Sequence, residues 1–495
     1  MYNGKYFQIS NFKGGYAGNL PDTQIDPNQA SDLDNIVILP NGKGWRSRLG
    51  NSKLNSVALN SAADIQGIGY LLQADQDEWL VAVAGTQFLH SANIGASFTD
   101  ASGAIVINAA ADNLWTLFPF NDAIIAFGGP PDSPDTPFRW PGTGNAAALG
   151  GSPPSAYGGL STNNRVFAYR TAALPSTIQW TIIGNAADWT GSGSGSAVIG
   201  SLSDGQRITG AIMISTNYML IFKENSVHQM VTSQAPFPTY SLFDNVGAPG
   251  KHAMVNIDGI VFFISSEGKM FSTNGETLQR YPAIADDLWN SVQSARYPFI
   301  VGARQKGKDY DWLIWCVSTS GSTNTVAIIW DITNETWLQC TTGYKFNTVG
   351  FDSNKNPYFG DYAGFIFKPD QSGVFADASE SGAGTITAFW QSGFINPDKI
   401  DKITDIKKMI TVFTPKASGN ITVDYGFDGV VNGTQFTIGQ TVPASETYGQ
   451  STDFLTGRGN TFEFKISQSS STIDTQIEKV LLAGKVAGQK GQTED

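Results

Sequence analysis

The stretch 258–281, "DGIVFFISSEGKMFSTNGETLQRY", sets an apolar run, a polar turn with a glycine, a short second run, another glycine turn and a third run in sequence. That order reads as a three-stranded antiparallel meander. So small a sheet cannot cover both faces of its own apolar strand. What covers "VFFI" decides the fold.

Comparable units recur along the chain. They are "EWLVAVAGTQFLHS" (78–91), "NDAIIAFGGPPDSPDTPFRW" (121–140), "NNRVFAYRTAALPSTIQWT" (163–181), "NYMLIFKENSVHQMV" (217–231), the stretch above, "DWLIWCVSTSGSTNTVAIIWDITNETWLQC" (311–340) and "NPYFGDYAGFIFKPD" (356–370). Their first strands begin about 40–55 residues apart, the spacing of one four-stranded blade per unit. Each unit has one strongly apolar strand, as expected where neighbours cover both faces. The expected fold is all-β: a β-propeller of about seven blades over 51–379, with six to eight compatible with the spacing. A large β-sandwich or two stacked barrels also repeats strands regularly, but the period of about 45 residues favours the propeller.

Composition agrees. Only 15% of residues are charged, against about a quarter in ordinary domains, and 54 glycines fill turns rather than helices. One helical pattern interrupts the strands: "AIADDLWNSVQSAR" (283–296) puts Ile284, Leu288, Trp289 and Val292 on one face. Residues 128–144 and 190–196 read as loops.

The flanks differ in texture. Residues 1–50 form an N-terminal arm and hairpin. Pro27 and Asn28 are placed to start a short helix, and "NIVILPNGKGWRSR" (35–48) reads as two strands about a Pro40-Asn41-Gly42 turn. From 380 to 487, alternating segments such as "DKITDIKKMITVFTP" (401–415) and "STIDTQIEKVLLAG" (471–484) predict a C-terminal antiparallel β-sandwich. Residues 488–495 are expected to be a disordered tail.

The net charge is −12, so a basic stripe for gripping phosphate is not expected. Acidity is ordinarily a matter of solubility, although a negative wall also keeps passing DNA from sticking. The first residues lack a secretory signal and no run of about 20 apolar residues occurs, so folding in a cytoplasm without membrane insertion is expected. The sequons at Asn334, Asn420 and Asn432 are then chance. Cys316 and Cys340 fall in neighbouring predicted strands; a bridge is conceivable, but with no disulfide framework two buried thiols are expected.

The inventory for chemistry is thin. His90, His228 and His252 are scattered without a metal-ligand pattern, and His228 lies inside a predicted strand. "GSGSGS" lacks the Lys-Ser/Thr of a phosphate loop. Sialidases and other glycosidases use propellers with paired carboxylates, and sialidases add an arginine cluster. Their repeated Ser-x-Asp-x-Gly-x-x-Trp turn is approached by Ser265–Phe271, one residue short, and the chain has only ten arginines. Asp311, Asp331 and Asp361 sit near strand ends, where an aspartate either faces a channel or caps a turn. No catalytic, cofactor-binding or metal-binding residue is assigned, and no enzymatic activity is expected. A WD or kelch scaffold would repeat its signature, whereas Trp330-Asp331 is a single occurrence.

Three stretches together resemble one family. "FKGGYAGNLPDTQIDPNQASDLDNIVILPNGKGWRSRLG" (12–50) looks like the opening segment of tailed-phage virion proteins. "LPSTIQWTIIGNAADWT" (174–190), and "NYMLIFKENSVHQMV" followed by "DGIVFFISSEGKMF", are similar to blade strands of the tail nozzle, or packaged-DNA stabilization protein, of short-tailed bacteriophages. The resemblance implies a virion structural protein, assembled in the host cytoplasm. It implies a homo-oligomer, a hexamer below the portal and adaptor, that retains packaged DNA, lets it pass on ejection and docks fibres or spikes. In that setting the 1–35 arm would add a strand or hook to a neighbouring subunit. A glycan-binding or glycan-hydrolysing propeller is the competing expectation.

Overall fold

The computed structural model describes residues 5–369, 371–374, 376–379, 382–395, 403–414, 420–439, 448–470 and 475–487. Seven four-stranded antiparallel sheets, here sheets 1 to 7, follow one another along the chain. Their first strands are Ile65–Leu72, Trp115–Phe120, Ala156–Thr162, Ile208–Met213, Met254–Ile257, Val301–Lys306 and Phe346–Phe351. Each first strand touches the next, and the last touches the first, so the seven close into a ring. The molecule is a β-propeller. Every unit read from the sequence falls inside one sheet. In sheet 5 the quoted stretch supplies three strands, and Met254–Ile257 precedes them as the fourth.

The uninterrupted apolar runs have a simple explanation. Successive side chains of a strand point to opposite faces, and here both faces are covered. In sheet 2, Ile124 and Ala126 pack with Val81, Val83 and Phe88 of sheet 1, while Ile125 and Phe127 pack with Val166 and Ala168 of sheet 3. Sheet 4 divides in the same way. Met219 and Ile221 face sheet 3, and Leu220 and Phe222 face sheet 5. A polar residue anywhere in such a run would meet a hydrophobic neighbour.

Tight geometry at the axis is set by Asn, Asp and Gly in the turns and by glycines in the first strands. The turn from first to second strand is a two-residue loop with both residues at positive φ in three sheets: Asn121-Asp122, Asn163-Asn164 and Asp258-Gly259. Asn, Asp and Gly are the residues that tolerate this hairpin turn. Glycines let the first strands approach one another. A Cβ on Gly350 of sheet 7 would lie 2.5 Å from Ile68 Cγ2 and 2.8 Å from the Ile68 carbonyl of sheet 1.

Closure comes from the N-terminal side. The fourth strand of sheet 7 is Ser52–Lys53, which pairs antiparallel with Ile366–Lys368. Leu54 N–H extends the match by donating to the Ile366 carbonyl at 2.7 Å. The ring is thus clasped by residues more than 300 positions apart.

Two further sheets mix strands from both ends of the chain. Lys5–Ile9 and Trp45–Ser47 join Gln476–Ala487, while Gln29–Asp34 joins Gly382–Ser392. One expectation changes here. Gln29–Asp34 is a strand, not a helix, because its hydrogen-bonding partner lies some 360 positions downstream, out of reach of local pattern. Within 5–34, the strands Lys5–Ile9 and Gln29–Asp34 pair with this chain's own C-terminal region. The 36–47 hairpin forms as read, with Ile36 opposite Ser47 and a 3-10 turn at Pro40–Gly42.

The 283–296 helix is also shorter than its pattern. Only Asp286–Asn290 is α-helical, burying Leu288 and Trp289. Gln293 N–H donates to Ser318 of sheet 6 at 2.9 Å, which ends the helical ladder. Residues 488–495, expected to form a tail, lie outside the described residues. No helix among the described residues is long and apolar enough to cross a membrane.

Candidate functional site

A propeller offers its chemistry at the ends of the central axis, so each residue singled out above is placed against that axis. Segment 108–114, which leads into sheet 2, lies across one end. Gln66 of sheet 1 donates to the Asn108 and Ala110 carbonyls at 3.0 and 2.6 Å. Asn347 of sheet 7 donates to Ala111 O at 3.2 Å and Ile65 O at 2.9 Å. Asp112 receives Arg296, which precedes sheet 6, at 2.8 and 2.9 Å. Lys251, which precedes sheet 5, donates to Leu114 O at 2.6 Å and to Tyr157 O of sheet 3 at 2.8 Å. The segment thus meets sheets 1 and 7 directly and the residues that lead into sheets 5 and 6, and Lys251 links it to sheet 3, which places it across the ring.

Lys251 is the least expected member. It is buried, and its ammonium sits 4.0 Å from the Tyr157 ring centre, which Arg170 also approaches at 4.6 Å. Burial, and then the Arg170 charge, push its pKa well below the ordinary lysine value. In sequence Lys251 stands in a glycine-rich turn, "PGKHAM", and gives no sign of this role.

The three candidate aspartates are committed to structure. Asp361 accepts from Ala363 N–H at 2.9 Å and Phe365 N–H at 2.7 Å, closing the turn between two strands of sheet 7. Asp331 is fully buried and accepts from Thr333 N–H, Asn334 N–H and Asn334 Nδ2. Burial is the main cause that raises its pKa to about 6. Asp311 holds Arg304 through a two-pronged pair at 2.8 and 2.6 Å. These are turn caps and an ion pair, not a facing pair of acids.

The remaining residues are similarly dispersed. His90 stacks on Trp140 at 4.9 Å, His228 contacts Ser226 Oγ at 2.9 Å, and His252 is held neutral by burial, its pKa pushed down to about 3. Among the described residues, no group of three or more His, Cys, Asp or Glu is arranged to hold a metal. The turn at Ser265–Phe271 closes on Ser265 Oγ, which accepts from Glu267 and Lys269 N–H; Glu267 pairs with Lys269 at 2.7 Å. The Asn334 side chain donates to Ile38 O and is buried, so that sequon is closed to modification.

Cys316 and Cys340 are free and buried, and they are not in neighbouring strands. Both stand opposite Ala327, which lies between them. Two strand spacings, about 9–10 Å, exceed the reach of a disulfide. Burial pushes both thiols up, Cys340 to about 12.

Sequence reading missed the side chains that bind the N-terminal hairpin to the ring. Arg48, almost wholly buried, donates to Asp377, to the Thr342 carbonyl at 2.8 Å and to Asn35 Oδ1 at 3.0 Å. Gln339 of sheet 6 donates to Asp32 at 3.1 Å, and Thr341 N–H to Asp34 at 2.8 Å. Tyr16 donates its hydroxyl to Asp287. "RSR" in a hairpin gives no local clue that its second arginine is interior.

No family model matches the chain, and no curated protein matches it. Solved structures do. The chain is similar to the WD40 β-propeller domain of Doa1, at 11% identity and a TM-score of 0.40, over 64% of this chain and 96% of that one. It is similar to YCF48 bound to D1 peptide, at 12% identity and a TM-score of 0.42, over 66% and 98%. It is also similar to the β-propeller domain of Cps50 (Swd1) from Myceliophteria thermophila, at 7% identity and a TM-score of 0.41, over 64% and 99%.

Proposed function

We propose that the chain is a non-enzymatic structural protein of a phage virion, a tail nozzle or hub subunit built on a seven-bladed propeller with a sandwich assembled from both chain ends. The observation that carries this reading is where the opening segment lies. Residues 12–50 carry the family resemblance, and they run between the ring and the terminal sheets: Thr336 Oγ1 donates to Gly14 O at 2.8 Å, Asn35 N–H to Gln339 O at 3.1 Å, and Trp45 pairs with Ile477. A segment so placed fixes two bodies in one orientation, which suits a load-bearing part.

Two further features support it. The candidate carboxylates are spent on caps and pairs, and hydrogen bonds tie a segment across one end of the propeller axis. A passage for DNA would then run between subunits, around the symmetry axis of a closed oligomer, taken to be a hexamer. Adaptor or portal-side proteins above, fibres or spikes below and non-specific contact with DNA inside would be the partners. Closure of seven sheets leaves only short outer strands as edges, which keeps such a part from aggregating.

Peptide mass spectrometry of purified particles from the source phage tests the assignment. The chain is expected at a small fixed copy number in the tail fraction. Its absence from infectious particles overturns the reading.

A further inference from the structure

The chain is acidic, yet one cleft of about 760 Å³ is lined by cations. It opens between sheets 6 and 7, beside the N-terminal hairpin. Lys306 ends the first strand of sheet 6 and Lys308 follows it in the loop to the second, Lys368 comes from the third strand of sheet 7, and Arg46 from the hairpin. Among the described lining residues, Asp309 is the single carboxylate, and it pairs with Arg46 at 3.5 Å. Asp370 belongs to the same stretch of sequence but lies outside the described residues.

The turn beside Lys306 and Lys308 is rigidly made. Gly307 N–H donates to Tyr310 O at 3.1 Å, and a Cβ on Gly307 would fall 2.2 Å from the Tyr310 ring, so that ring lies directly on the glycine. Tyr310 is in turn buried, packed at a tilt against Trp312 with ring centres 4.1 Å apart, and accepts from Gln305 Nε2 at 2.7 Å. Lys306 and Lys308 are exposed at their ends. The site is therefore a fixed frame with exposed charges.

We infer that this cleft binds a polyphosphate chain. Its size is that of a small-ligand site. The tyrosines of the lining already have partners: Tyr310 packs against Trp312 at 4.1 Å, and the Lys368 ammonium stands 5.4 Å from the Tyr358 ring centre. The cations offered are lysines, which act as point charges and read charge density rather than the planar shape of a carboxylate. Closely spaced phosphates satisfy three such groups best. The phosphates can be those of a free polyphosphate or of a nucleic-acid backbone.

Titration calorimetry of the full chain with inorganic tripolyphosphate tests this, with a short single-stranded DNA as the second arm. Tripolyphosphate is expected to bind, more weakly as salt rises. Lys306→Ala, Lys308→Ala and Lys368→Ala are each expected to weaken it by about tenfold. Lys269→Ala, elsewhere on the ring, is expected to leave it unchanged, and Lys→Arg exchanges to restore most of it. DNA binding lost in the same variants would assign backbone phosphates as a source. No binding of tripolyphosphate, or binding indifferent to the three lysines, overturns the inference. The outcome is independent of virion assembly, since it is read on the isolated subunit.

Discussion

Arg48 and Asp377 meet through Arg48 Nη1 and Asp377 Oδ1 at 2.8 Å, 329 positions apart in sequence. Both lie in the interior, and Asp377 also accepts from Asn51 N–H at 3.2 Å. Removing one partner of such a pair leaves the other as an uncompensated buried charge, at a cost of about 3–5 kcal/mol. Arg48→Ala is expected to lower stability by that amount in urea unfolding. The paired change Arg48→Met with Asp377→Leu is expected to recover a large part of it. Equal losses in single and double variants would show that the pair does not act as a unit.

The clasp at sheet 7 gives a second test. Leu54→Pro deletes the N–H that donates to Ile366 O and leaves that carbonyl without this donor. A loss of about 1–3 kcal/mol is expected. Hydrogen exchange should rise first across sheet 7, 346–368, rather than across sheets 3 and 4. Uniform acceleration throughout the ring would count against a local clasp.

Close approach at the axis is tested by two glycines. Gly350→Ala presses a methyl against the backbone of Ile68 and is expected to cost about 1–3 kcal/mol. At Gly150 the nearest atom to a new Cβ is 3.9 Å away, so Gly150→Ala is expected within about 0.5 kcal/mol of the parent. Similar melting temperatures for the two variants would contradict the packing described.

Asp331 makes a pH prediction. Its folded pKa, about 6, stands above the ordinary carboxyl value because burial disfavours the charge. A raised folded pKa stabilises the fold below the unfolded value, about 4, and that contribution is lost as pH rises through about 6. The effect is about 3 kcal/mol at most. Asp32 and Asp34 are shifted the same way by burial, whereas the depressed His252 works in the opposite sense, losing stability as pH falls through about 6.5. Comparing Asp331→Asn with the parent isolates the one group: the parent's stability is expected to fall more steeply between pH 4 and 6.5. Parallel pH profiles would remove the effect.

How far the sequence led can be judged residue by residue. The apolar runs around Val81, Ile125, Phe167 and Phe222 disclose strands covered on both faces, because period-two burial on two sides leaves no polar position. What was not legible depends on partners remote in the chain. Ser52–Lys53 is two residues of strand and has no pattern of its own. Pro27 and Asn28 read as a helix start until Gly382–Ser392 is seen paired with the strand Gln29–Asp34 that follows them. Lys251, Arg296 and Arg48 look like ordinary surface cations, and only folding shows that they are interior. The same holds for the phosphate cleft, whose lysines come from segments that meet only in space.

The central claim is that this chain is a rigid part of a closed ring. Single-particle electron microscopy of the purified full chain at micromolar concentration tests it most directly. The account predicts six-fold rings with an open channel between subunits and a sealed axis within each propeller. Particles that stay monomeric under every assembly condition, together with measurable turnover of a glycan substrate, would contradict it.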